Sequence, residues 1–394
     1  MELVTIEALA GADCGNSTTK SILRFGNVVK ARKQPTIYAY LPVVPQFEDE
    51  DLDTLVANLH KNMVVNITSK AVRRNGLFAV GDIATINGGD GFNIKQHKKS
   101  EMDLTVIQPL SMIATAAIQT VYKENGELPG TLEINLKYDT AIPVVDYSKA
   151  DAMALENRLK DTHVLIVYVG EGHRVTVTIN IKEAKVVQEG IPAFYALING
   201  SPEMFAAYNA KYGLNFTGKS FAKRKILFVD IGDGTLELIF VEEGRPKAKK
   251  SRGYRYGVGH ASELAIKAFK DQYNLRGNIT RTHFMDKINN VNDKWHNEAA
   301  RTLHDAKYDQ QYKILDAIAE TVENVLTYDL DDIVVMGGGT NVFTELYDMI
   351  VNYAERYKLK VLWIDGKIAS LMNVYGLDEL NTKMFFAAKE KLTP

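Results

Sequence analysis

Two short segments of the sequence carry the residue types that bind the phosphate tail of a nucleotide. Both follow the pattern Asp-x-Gly-polar-small-Thr between two apolar, strand-like runs, and they are Asp13-Cys14-Gly15-Asn16-Ser17-Thr18 and Asp230-Ile231-Gly232-Asp233-Gly234-Thr235. Glycine lets backbone N–H groups approach phosphate oxygens closely, and the amides of such a turn form a nest for an anion. We refer to these segments as the first and the second loop, and predict that both bind phosphate.

Side chains in and beside the two loops could supply the rest of the chemistry. Hydrogen bonds and a point charge are available from Ser17, Thr18, Thr235 and Lys20. Asp13 and Asp230 each end a strand, where a carboxylate could hold Mg²⁺ through water, because that ion keeps several waters and takes few protein ligands. A single turn of this composition is more often an ordinary hairpin turn. Two copies 217 residues apart, each opening a domain, favour nucleotide binding.

A glycine-rich turn follows another strand-like run, at residues 333–336. Its sequence is Gly337-Gly338-Gly339-Thr340-Asn341, and a helix-like run comes next. Such a turn permits close approach of the backbone to a nucleoside. Alone it is equally compatible with a turn needed only for packing, but together with the two loops it completes a predicted nucleotide site.

Strand-like and helix-like apolar patterns alternate along the chain, which predicts an α/β fold with a central sheet. Each loop is predicted to join two strands, in residues 1–23 and 225–241. Helices are predicted at 104–122, 146–160, 260–269, 282–289, 310–326 and 377–392, and further strands at 132–138, 163–168, 174–181 and 332–336. No low-complexity linker interrupts the pattern, so two domains with a broad junction are expected.

Composition and charge narrow the class of protein. The 394 residues suit two domains, and the contents of 46% hydrophobic and 24% charged residues are those of a soluble globular protein. The single cysteine, Cys14, excludes an internal disulfide and favours a reducing compartment. Glu2 and Glu7 argue against a signal peptide, and no uninterrupted apolar run approaches the roughly 20 residues of a membrane helix. We expect a cytoplasmic protein with no membrane contact.

The net charge of −2 gives no sign of a nucleic-acid-binding face. A basic cluster at residues 245–252 could touch nucleic acid, but a solvated hairpin or a contact between filament subunits fits it better. The C-terminal run 377–392 places Leu380, Met384 and Ala388 on one side of a helix. A membrane anchor is one interpretation of this run, and packing on the first domain is the one we favour.

One segment imitates a different nucleotide-binding motif. Residues 213–220 match the pattern Gly-x-x-x-x-Gly-Lys-Ser, with Lys219 as the phosphate-binding lysine. A true P-loop has a strand before it and a helix after it. Here a helix-like stretch, 202–212, precedes the motif and a strand-like run begins at Lys225, which leaves no room for a crossover helix. We predict a surface turn at this position.

The order of these motifs identifies a family resemblance. First phosphate loop, connecting loop, second phosphate loop and glycine-rich turn resemble the superfamily of actin, hexokinase and the heat-shock chaperones. Within it the chain is most similar to the ParM group: residues 187–195, Val-Gln-Glu-Gly-Ile-Pro-Ala-Phe-Tyr, resemble its Met-Pro-Glu-Ser-Ile-Pro-Ala-Gly-Tyr segment. Residues 139–143 resemble its connecting loop and residues 372–376 its C-terminal segment, so the likeness spans nearly the whole chain.

The resemblance implies roles for individual residues. Asp13 and Asp230 would organise Mg²⁺ and the β- and γ-phosphates, and Glu189 would position or activate the attacking water. Gly338 and Gly339 would line the adenosine pocket. The chain departs from the family at Cys14, which follows the first aspartate, and at Asp233, which replaces a glycine usual in the second loop. An extra acid beside phosphate is unfavourable unless it faces the metal.

The resemblance also implies an architecture and a function. The expected fold is actin-like, with two domains that are each built on an RNase H-like mixed sheet flanked by helices. Domain I would hold 1–222 and 374–394, with an inserted subdomain at about 33–103, and domain II would hold 223–373, with the nucleotide between them. The implied function is a filament that assembles with ATP or GTP and Mg²⁺, hydrolyses the nucleotide, and moves plasmid DNA through an adaptor bound to a centromere-like site. The alternative is a small-molecule kinase of the same superfamily, with Glu189 accepting a hydroxyl proton.

Overall fold

The residues of the chain cluster into two compact units. The first comprises the residues up to 196 together with those from 373 onward, and the second comprises residues 197–372. The computed structural model describes residues 3–91, 98–144, 146–277, 279 and 281–386. The domain boundaries expected from the sequence stay a prediction.

The first unit is built on a ten-stranded mixed sheet in the order β3-β2-β1-β8-β10-β9-β5-β6-β4-β7. β1, β8 and β10 run parallel to one another, and the neighbouring pairs that flank them are antiparallel. The strands are β1 (Leu3–Cys14), β2 (Thr18–Phe25), β3 (Val28–Pro35), β4 (Ile37–Tyr40), β5 (Met63–Thr68), β6 (Gly76–Val80), β7 (Asp90–Gly91), β8 (Thr131–Ile142), β9 (Thr162–Gly170) and β10 (His173–Gln188).

Helices cover this sheet and close its core. They are α1 (Leu52–Asn58), α2 (Asp82–Ile86), α3 (Leu104–Asn125), α4 (Lys149–Leu159), α5 (Ile191–Ile198) and, from the end of the chain, α12 (Met372–Leu380). Alternate residues of β8 and β9, such as Leu132, Ile134 and Leu165, are fully buried against apolar residues of α3. The period-two burial on the strands and the apolar helix explain why these segments fold against one another.

One helix of the first unit has the length and composition of a membrane span. α3 is 22 residues long, and 94% of its most apolar stretch is buried inside the protein. Its apolar run is not continuous in the sequence, because Gln108, Ser111 and Thr115 lie within it. Ser111 and Thr115 donate hydrogen bonds to helix carbonyls one turn back, which is how these polar side chains are accommodated in the core.

The segment predicted as an inserted subdomain extends the same sheet. β5 pairs with β9, and β6, β4 and β7 follow outward from it. A short 3₁₀ turn, Lys99–Glu101, then leads into α3. Residues 92–97 of the predicted insertion lie outside the described residues.

The second unit is built on a six-stranded sheet in the order β13-β12-β11-β15-β16, with β14 paired to β12. β11, β15 and β16 are parallel. The strands are β11 (Lys225–Ile231), β12 (Leu236–Glu242), β13 (Arg245–Pro246), β14 (Arg252–Tyr254), β15 (Asp332–Met336) and β16 (Lys360–Trp363). The helices are α6 (Pro202–Tyr212), α7 (Val258–Gln272), α8 (Arg281–Asn289), α9 (His296–Glu320), α10 (Leu346–Arg356) and α11 (Gly366–Ala369).

Most predicted elements are confirmed, and two helices were predicted wrongly in extent. The helix predicted at 310–326 begins at His296 and ends at Glu320, and a π-helical turn, Thr321–Val325, follows it. The polar first half of α9 hid its start, because Ala299 and Leu303 are the buried apolar residues in it. The C-terminal helix also changes to a π-helical turn, Asn381–Phe385, which leaves Met384 exposed rather than in line with buried Leu380. Ala388 lies outside the described residues.

The segment at 213–220 has the context of a turn, as predicted. α6 comes before it, a 3₁₀ turn at Gly218–Phe221 forms its end, and β11 begins four residues later. Lys219 is exposed, whereas the neighbouring Phe221 is fully buried. The segment therefore anchors the start of β11, and the strand-before, helix-after context of a P-loop is not found.

The C-terminal helix packs on the first unit through two polar contacts. Arg24 donates two hydrogen bonds to the carboxylate of Asp378, at 2.6 and 2.7 Å. Asn381 donates to Oδ1 of Asp139 at 2.7 Å, while Oδ2 of that fully buried carboxyl has no hydrogen-bond partner among the described residues. Burial raises the pKa of Asp139 well above its usual value, because the charged form loses its hydration.

This raised pKa predicts the pH dependence of folding stability. Folded Asp139 keeps its proton over a pH range in which the unfolded carboxyl, with a pKa of about 3.9, has lost it. Stability therefore falls as pH rises from about 4 toward the folded pKa, by up to about 1.4 kcal/mol per pH unit. Asp139→Asn removes this loss, so we expect it to raise the free energy of unfolding more at pH 7 than at pH 5 in urea titrations.

The matched control is Asp49→Asn, at an exposed aspartate. It should leave the free energy of unfolding unchanged at both pH values. An equal gain at pH 5 and pH 7 for Asp139→Asn would contradict the titration argument, since an effect of packing alone does not depend on pH.

Candidate functional site

The first loop is a tight turn whose backbone is held from the side. β1 ends at Cys14 and β2 begins at Thr18, and the register places Asp13 opposite Lys20. Thr36 supports the turn: its hydroxyl donates to the carbonyl of Gly15 at 2.7 Å and its N–H to that of Ser17 at 3.0 Å. A Cβ on Gly15 would lie 2.7 Å from a backbone oxygen, so only glycine fits.

The side chains of this loop combine a paired acid with open polar groups. Asp13 is buried, and Nζ of Lys20 lies 3.9 Å from its Oδ2. Ser17 is exposed, and Thr18 is half-buried. The side-chain oxygen of Asn16 is buried without a hydrogen-bond partner in the described part of the chain. A buried acceptor without a partner is costly, and a cation or donor brought by a ligand would satisfy it.

Glu189 lies at the end of β10, where the strand turns into α5. Its N–H donates to the carbonyl of Ile142 at 2.9 Å, which continues the β8–β10 pairing by one residue. Gly190 then takes a φ of +89°, a left-handed conformation that glycine adopts without strain, and α5 begins at Ile191. The Glu189 side chain is buried, and its Oε1 lies 3.5 Å from Nζ of Lys99.

Cys14, the second residue of the first loop, is influenced by the charged side chains around it. Burial raises the pKa of Cys14 to about 12, and the negative charges of Asp13 and Glu189 add to the increase while Lys99 opposes it. The thiol is therefore neutral at physiological pH and unreactive. The pairing of β8 with β1 and with β10 places Asp13 and Glu189, the two predicted acids, at the same edge of the sheet. Sequence reasoning missed Lys99.

The second loop is closed by its own backbone and by the start of α7. The N–H of Gly232 donates to the carbonyl of Thr235 at 2.9 Å, which closes the turn. Carbonyls of the loop then accept from α7: Gly232 from Val258 at 3.1 Å and Asp233 from Gly259 at 2.7 Å. His260 Nε2 lies 3.1 Å from the carbonyl oxygen of Gly234.

The unusual acid of the second loop is neutralised by an arginine. Nη1 of Arg281 donates to Oδ2 of Asp233 at 2.8 Å, and Nη2 donates to Glu263 at 2.6 Å. A Cβ at Gly259 would lie 2.6 Å from the guanidinium, so glycine makes room for it. Because Arg281 compensates the charge of Asp233, this acid does not have to face a metal ion. Spacing in the sequence gave no signal for Arg281, because the helix that carries it follows 48 residues later.

The glycine-rich turn packs on the second loop. Gly337 has a φ of +93°, and a Cβ there would collide with the carboxylate of Asp230. A Cβ on Gly339 would collide with the side chain of Ile231. Gly338 is exposed, and a Cβ there would meet nothing within 4 Å. Two of the glycines are therefore required by close packing, and the third leaves an open surface.

The residues that follow fix the shape of the turn. The hydroxyl of Thr340, which is buried, donates to the carbonyl of Gly337 at 2.9 Å. The side chain of Asn341 lies against Gly366 at the start of α11. In the second unit, the structure thus brings together all of the predicted residues, 230–235 and 337–341.

Each of the two predicted aspartates is of the residue type that holds Mg²⁺ through water, and the two belong to different units. Across the described ranges, no group of three or more His, Cys, Asp or Glu side chains is placed to bind a metal directly. Asp13 is buried at the end of β1 and Asp230 is half-buried near the end of β11. Isolated carboxylates beside phosphate are the usual protein ligands of Mg²⁺, which keeps most of its waters.

Solved structures share this fold. Actin-like protein Alp7A matches with a TM-score of 0.66 at 16% identity, covering 96% of both chains. Bacillus thuringiensis ParM with ATP matches with a TM-score of 0.59 at 16% identity, covering 95% of this chain and 98% of that one. The non-polymerisable quadruple mutant of pCBH ParM matches with a TM-score of 0.63 at 17% identity, covering 95% and 99%. No family model and no curated protein sequence matches the chain.

These matches establish the class of fold. The chain has the two-unit, mixed-sheet α/β architecture of actin-like proteins, as the sequence predicted. The likeness to the solved Alp7A and ParM structures extends over about 95% of its length.

The ion pair of Asp233 and Arg281 generates a prediction for the second loop. Arg281→Met leaves the Asp233 charge uncompensated beside the predicted phosphate site, so nucleotide affinity should fall. The pair is partly exposed, with 41% of the arginine side chain accessible, so we expect a modest effect of about 2–5-fold. The measurement is a fluorescence titration with Mg·ATP at low and at high salt, and the effect should shrink at high salt.

The double variant Arg281→Met/Asp233→Asn is the matched control. Removing both charges should restore the affinity, because the arginine acts only by neutralising the acid. If the double variant binds as weakly as the single one, Arg281 contacts the nucleotide itself or holds the backbone of the loop.

Proposed function

We propose that the chain is an actin-like, ATP-hydrolysing protein that assembles into filaments and moves plasmid DNA through an adaptor. The observation that carries this proposal is the repeated loop: each unit has a strand-turn-strand loop with an aspartate near the end of its first strand and glycine at its tip. The likeness to ParM structures solved with ATP, AMPPNP and ADP supports the choice of nucleotide. GTP is the alternative nucleotide, and the binding titration compares it with ATP.

The loops would bind phosphate mainly through backbone amides. Gly15 and Gly232 are the positions at which each turn is tightest, and the adjacent residues Asn16, Ser17 and Thr235 offer polar side chains. When bound, Mg²⁺ would offset phosphate charge, and Asp13 and Asp230 would hold it through water. Lys20, paired with Asp13, limits the negative charge that the phosphates meet. Gly338 would leave room for the nucleoside.

Glu189 would orient the water that attacks the terminal phosphate. Its carboxylate is buried next to the first loop, on a strand end fixed by pairing to β8 and by the turn at Gly190. Holding water in line for attack is a matter of position, while the charge that develops is stabilised by the metal and the loop amides. A carboxylate on a rigid strand end is suited to this task.

The remaining parts of the proposal concern partners. Self-assembly is supported by the likeness to Alp7A and to ParM. One of the matching ParM structures is described as a non-polymerisable quadruple mutant. An adaptor would link the filament to a centromere-like DNA site, since a net charge of −2 disfavours direct DNA binding. Some of the basic residues at 245–252 form ion pairs within the chain. For example, Nζ of Lys247 lies 3.1 Å from Oε2 of Glu242. We place the protein in the cytoplasm.

The paired loops are tested by removing one aspartate. Asp230→Ala should weaken Mg·ATP binding by about 10–100-fold, the loss expected for one charged interaction, and should block nucleotide-dependent assembly. The measurements are a binding titration with ATP and GTP and sedimentation of the polymer. Lys219→Ala is the control at the exposed imitation of a P-loop, and it should bind normally. Normal assembly by folded Asp230→Ala, or a large loss in Lys219→Ala, would contradict the paired-loop proposal.

The role of Glu189 is tested by separating hydrolysis from assembly. Glu189→Ala should slow phosphate release by about 10²–10⁴-fold, the usual cost of losing a positioned base, while ATP still binds and filaments still form. Those filaments should disassemble slowly, because hydrolysis is what weakens them. Phosphate release and sedimentation are followed in one sample over time, with Glu171→Ala, at an exposed glutamate of the β9–β10 turn, as the control.

Two outcomes would contradict the filament proposal. If Glu189→Ala filaments hydrolyse ATP and disassemble at the parental rate, Glu189 does not position the water. If the parent forms no polymer and consumes ATP only when a small hydroxylated substrate is added, the protein is a kinase of the same superfamily.

A further inference from the structure

The buried ion pair between Lys99 and Glu189 has no role in the hydrolysis step proposed for Glu189. Nζ of Lys99 lies 3.5 Å from Oε1 of Glu189, and the two side chains are only 6% and 8% exposed. A lysine loses much of its hydration when it is buried, so a buried lysine is rare unless an anion compensates it. The lysine occupies the place where it can act on the proposed catalytic carboxylate.

The backbone that carries Lys99 is firmly anchored. Arg158 of α4 donates to the carbonyls of Ser100 at 3.0 Å and Met102 at 3.2 Å, and to the carboxylate of Asp103 at 2.7 Å. The N–H of Lys99 lies 3.4 Å from an oxygen of Asp146. The start of the side chain is therefore fixed, and only its flexible end can exchange partners.

The ammonium group pairs with Glu189 at the edge of the sheet from which the first loop emerges, because β8 pairs with β1 at Thr140 and with β10 at Ile142. Lys99, Asp13 and Glu189 all act on the thiol of Cys14, which directly precedes the tip of the first loop. The first loop and the ion pair of Lys99 and Glu189 therefore share one edge of the sheet. The first loop has one other lysine beside it, Lys20, which faces Asp13.

We propose that Lys99 senses the terminal phosphate of the nucleotide and controls Glu189, a role that rests on the proposed function. Without a terminal phosphate, Lys99 pairs with Glu189 and occupies its carboxylate. With ATP bound, the ammonium group moves to a terminal phosphate oxygen, and Glu189 is released to accept a hydrogen bond from water. Lys99 is thus a positioning residue for Glu189 and a binding residue for ATP over ADP.

The length of the ion pair makes such an exchange physically reasonable. An N···O distance of 3.5 Å is beyond the 2.7–2.9 Å of a strong charge-assisted hydrogen bond. A phosphate oxygen that offers a shorter contact and more negative charge would compete well for the ammonium group. Because both side chains are shielded from water, the exchange would change the environment of Glu189 more than at an exposed site.

The test is the ratio of ATP to ADP affinity, measured by calorimetric titration of the full chain. Lys99→Met should weaken ATP binding by about 10–100-fold, the value of one hydrogen bond to a charged group, and should change ADP binding by less than about 3-fold. Lys99→Arg keeps a cation and should retain most of the preference for ATP. Lys98→Met removes the neighbouring lysine, which pairs with Asp151 at 3.0 Å, and should leave both affinities unchanged.

A second variant keeps the proposal testable if Lys99→Met does not fold. Glu189→Gln removes the competing anion, so it should raise ATP affinity relative to ADP. Adding Lys99→Gln to Glu189→Gln replaces the pair by two neutral side chains and should abolish that gain. A gain that persists in the double variant would show that Lys99 does not contact the phosphate.

The outcomes separate this proposal from the proposed function. If Lys99→Met lowers ATP and ADP affinity alike, or lowers only the melting temperature, Lys99 has a structural role and the sensing proposal is wrong while nucleotide binding stands. If the parent binds neither nucleotide, the proposed function itself fails, and the sensing role fails with it.

Discussion

Parallel pairing of strands is the interaction on which the candidate site depends. In the first unit, β8 pairs in parallel with β1 and with β10, and the registers join Ala12 to Thr140 and Gln188 to Ile142. Because parallel strands end at the same edge of a sheet, the first loop and Glu189 emerge at one edge, on the two strands that flank β8, although 175 residues separate Cys14 from Glu189. In the second unit, the pairing of Asp230 with Met336 does the same for the second loop and the glycine-rich turn.

Ion pairs with lysine or arginine compensate the acids that lie in and near the predicted phosphate loops. Asp13 faces Lys20, Glu189 faces Lys99, and Asp233 is bound by Arg281. Each carboxylate would otherwise repel phosphate, most strongly at the buried Asp13 and Glu189, where charge is screened poorly. In all three pairs the cation lies on a different element from the acid, so the electrostatics of the loops depend on the complete fold of each unit.

The sequence predicted what is local and missed what is distant. The two loops, the strand before the glycine-rich turn, and α3, which was predicted at 104–122 and is found at Leu104–Asn125, all follow from periodicity and turn residues within one segment. Arg281 and Lys99 were missed because their partners lie 48 and 90 residues away, and no local pattern marks them. The π-helical turn after α12 was missed for a related reason: its apolar spacing is helical, and tertiary packing decides where the helix widens.

The end of the chain contributes to the stiffness of the first loop. Gly11, two residues before Asp13, has no room for a Cβ because Asp139 and Leu377 lie 2.8 and 3.0 Å from that position. α12 therefore packs directly on the backbone of the strand that ends in the loop, and its Gly376 fits against the backbone of Pro192, three residues after Glu189. α12 contacts β1, which leads into the first loop, and α5, which follows Glu189. A shift of α12 would therefore displace both the first loop and Glu189. Closely packed glycines thus make the C-terminal helix part of the support of the candidate site.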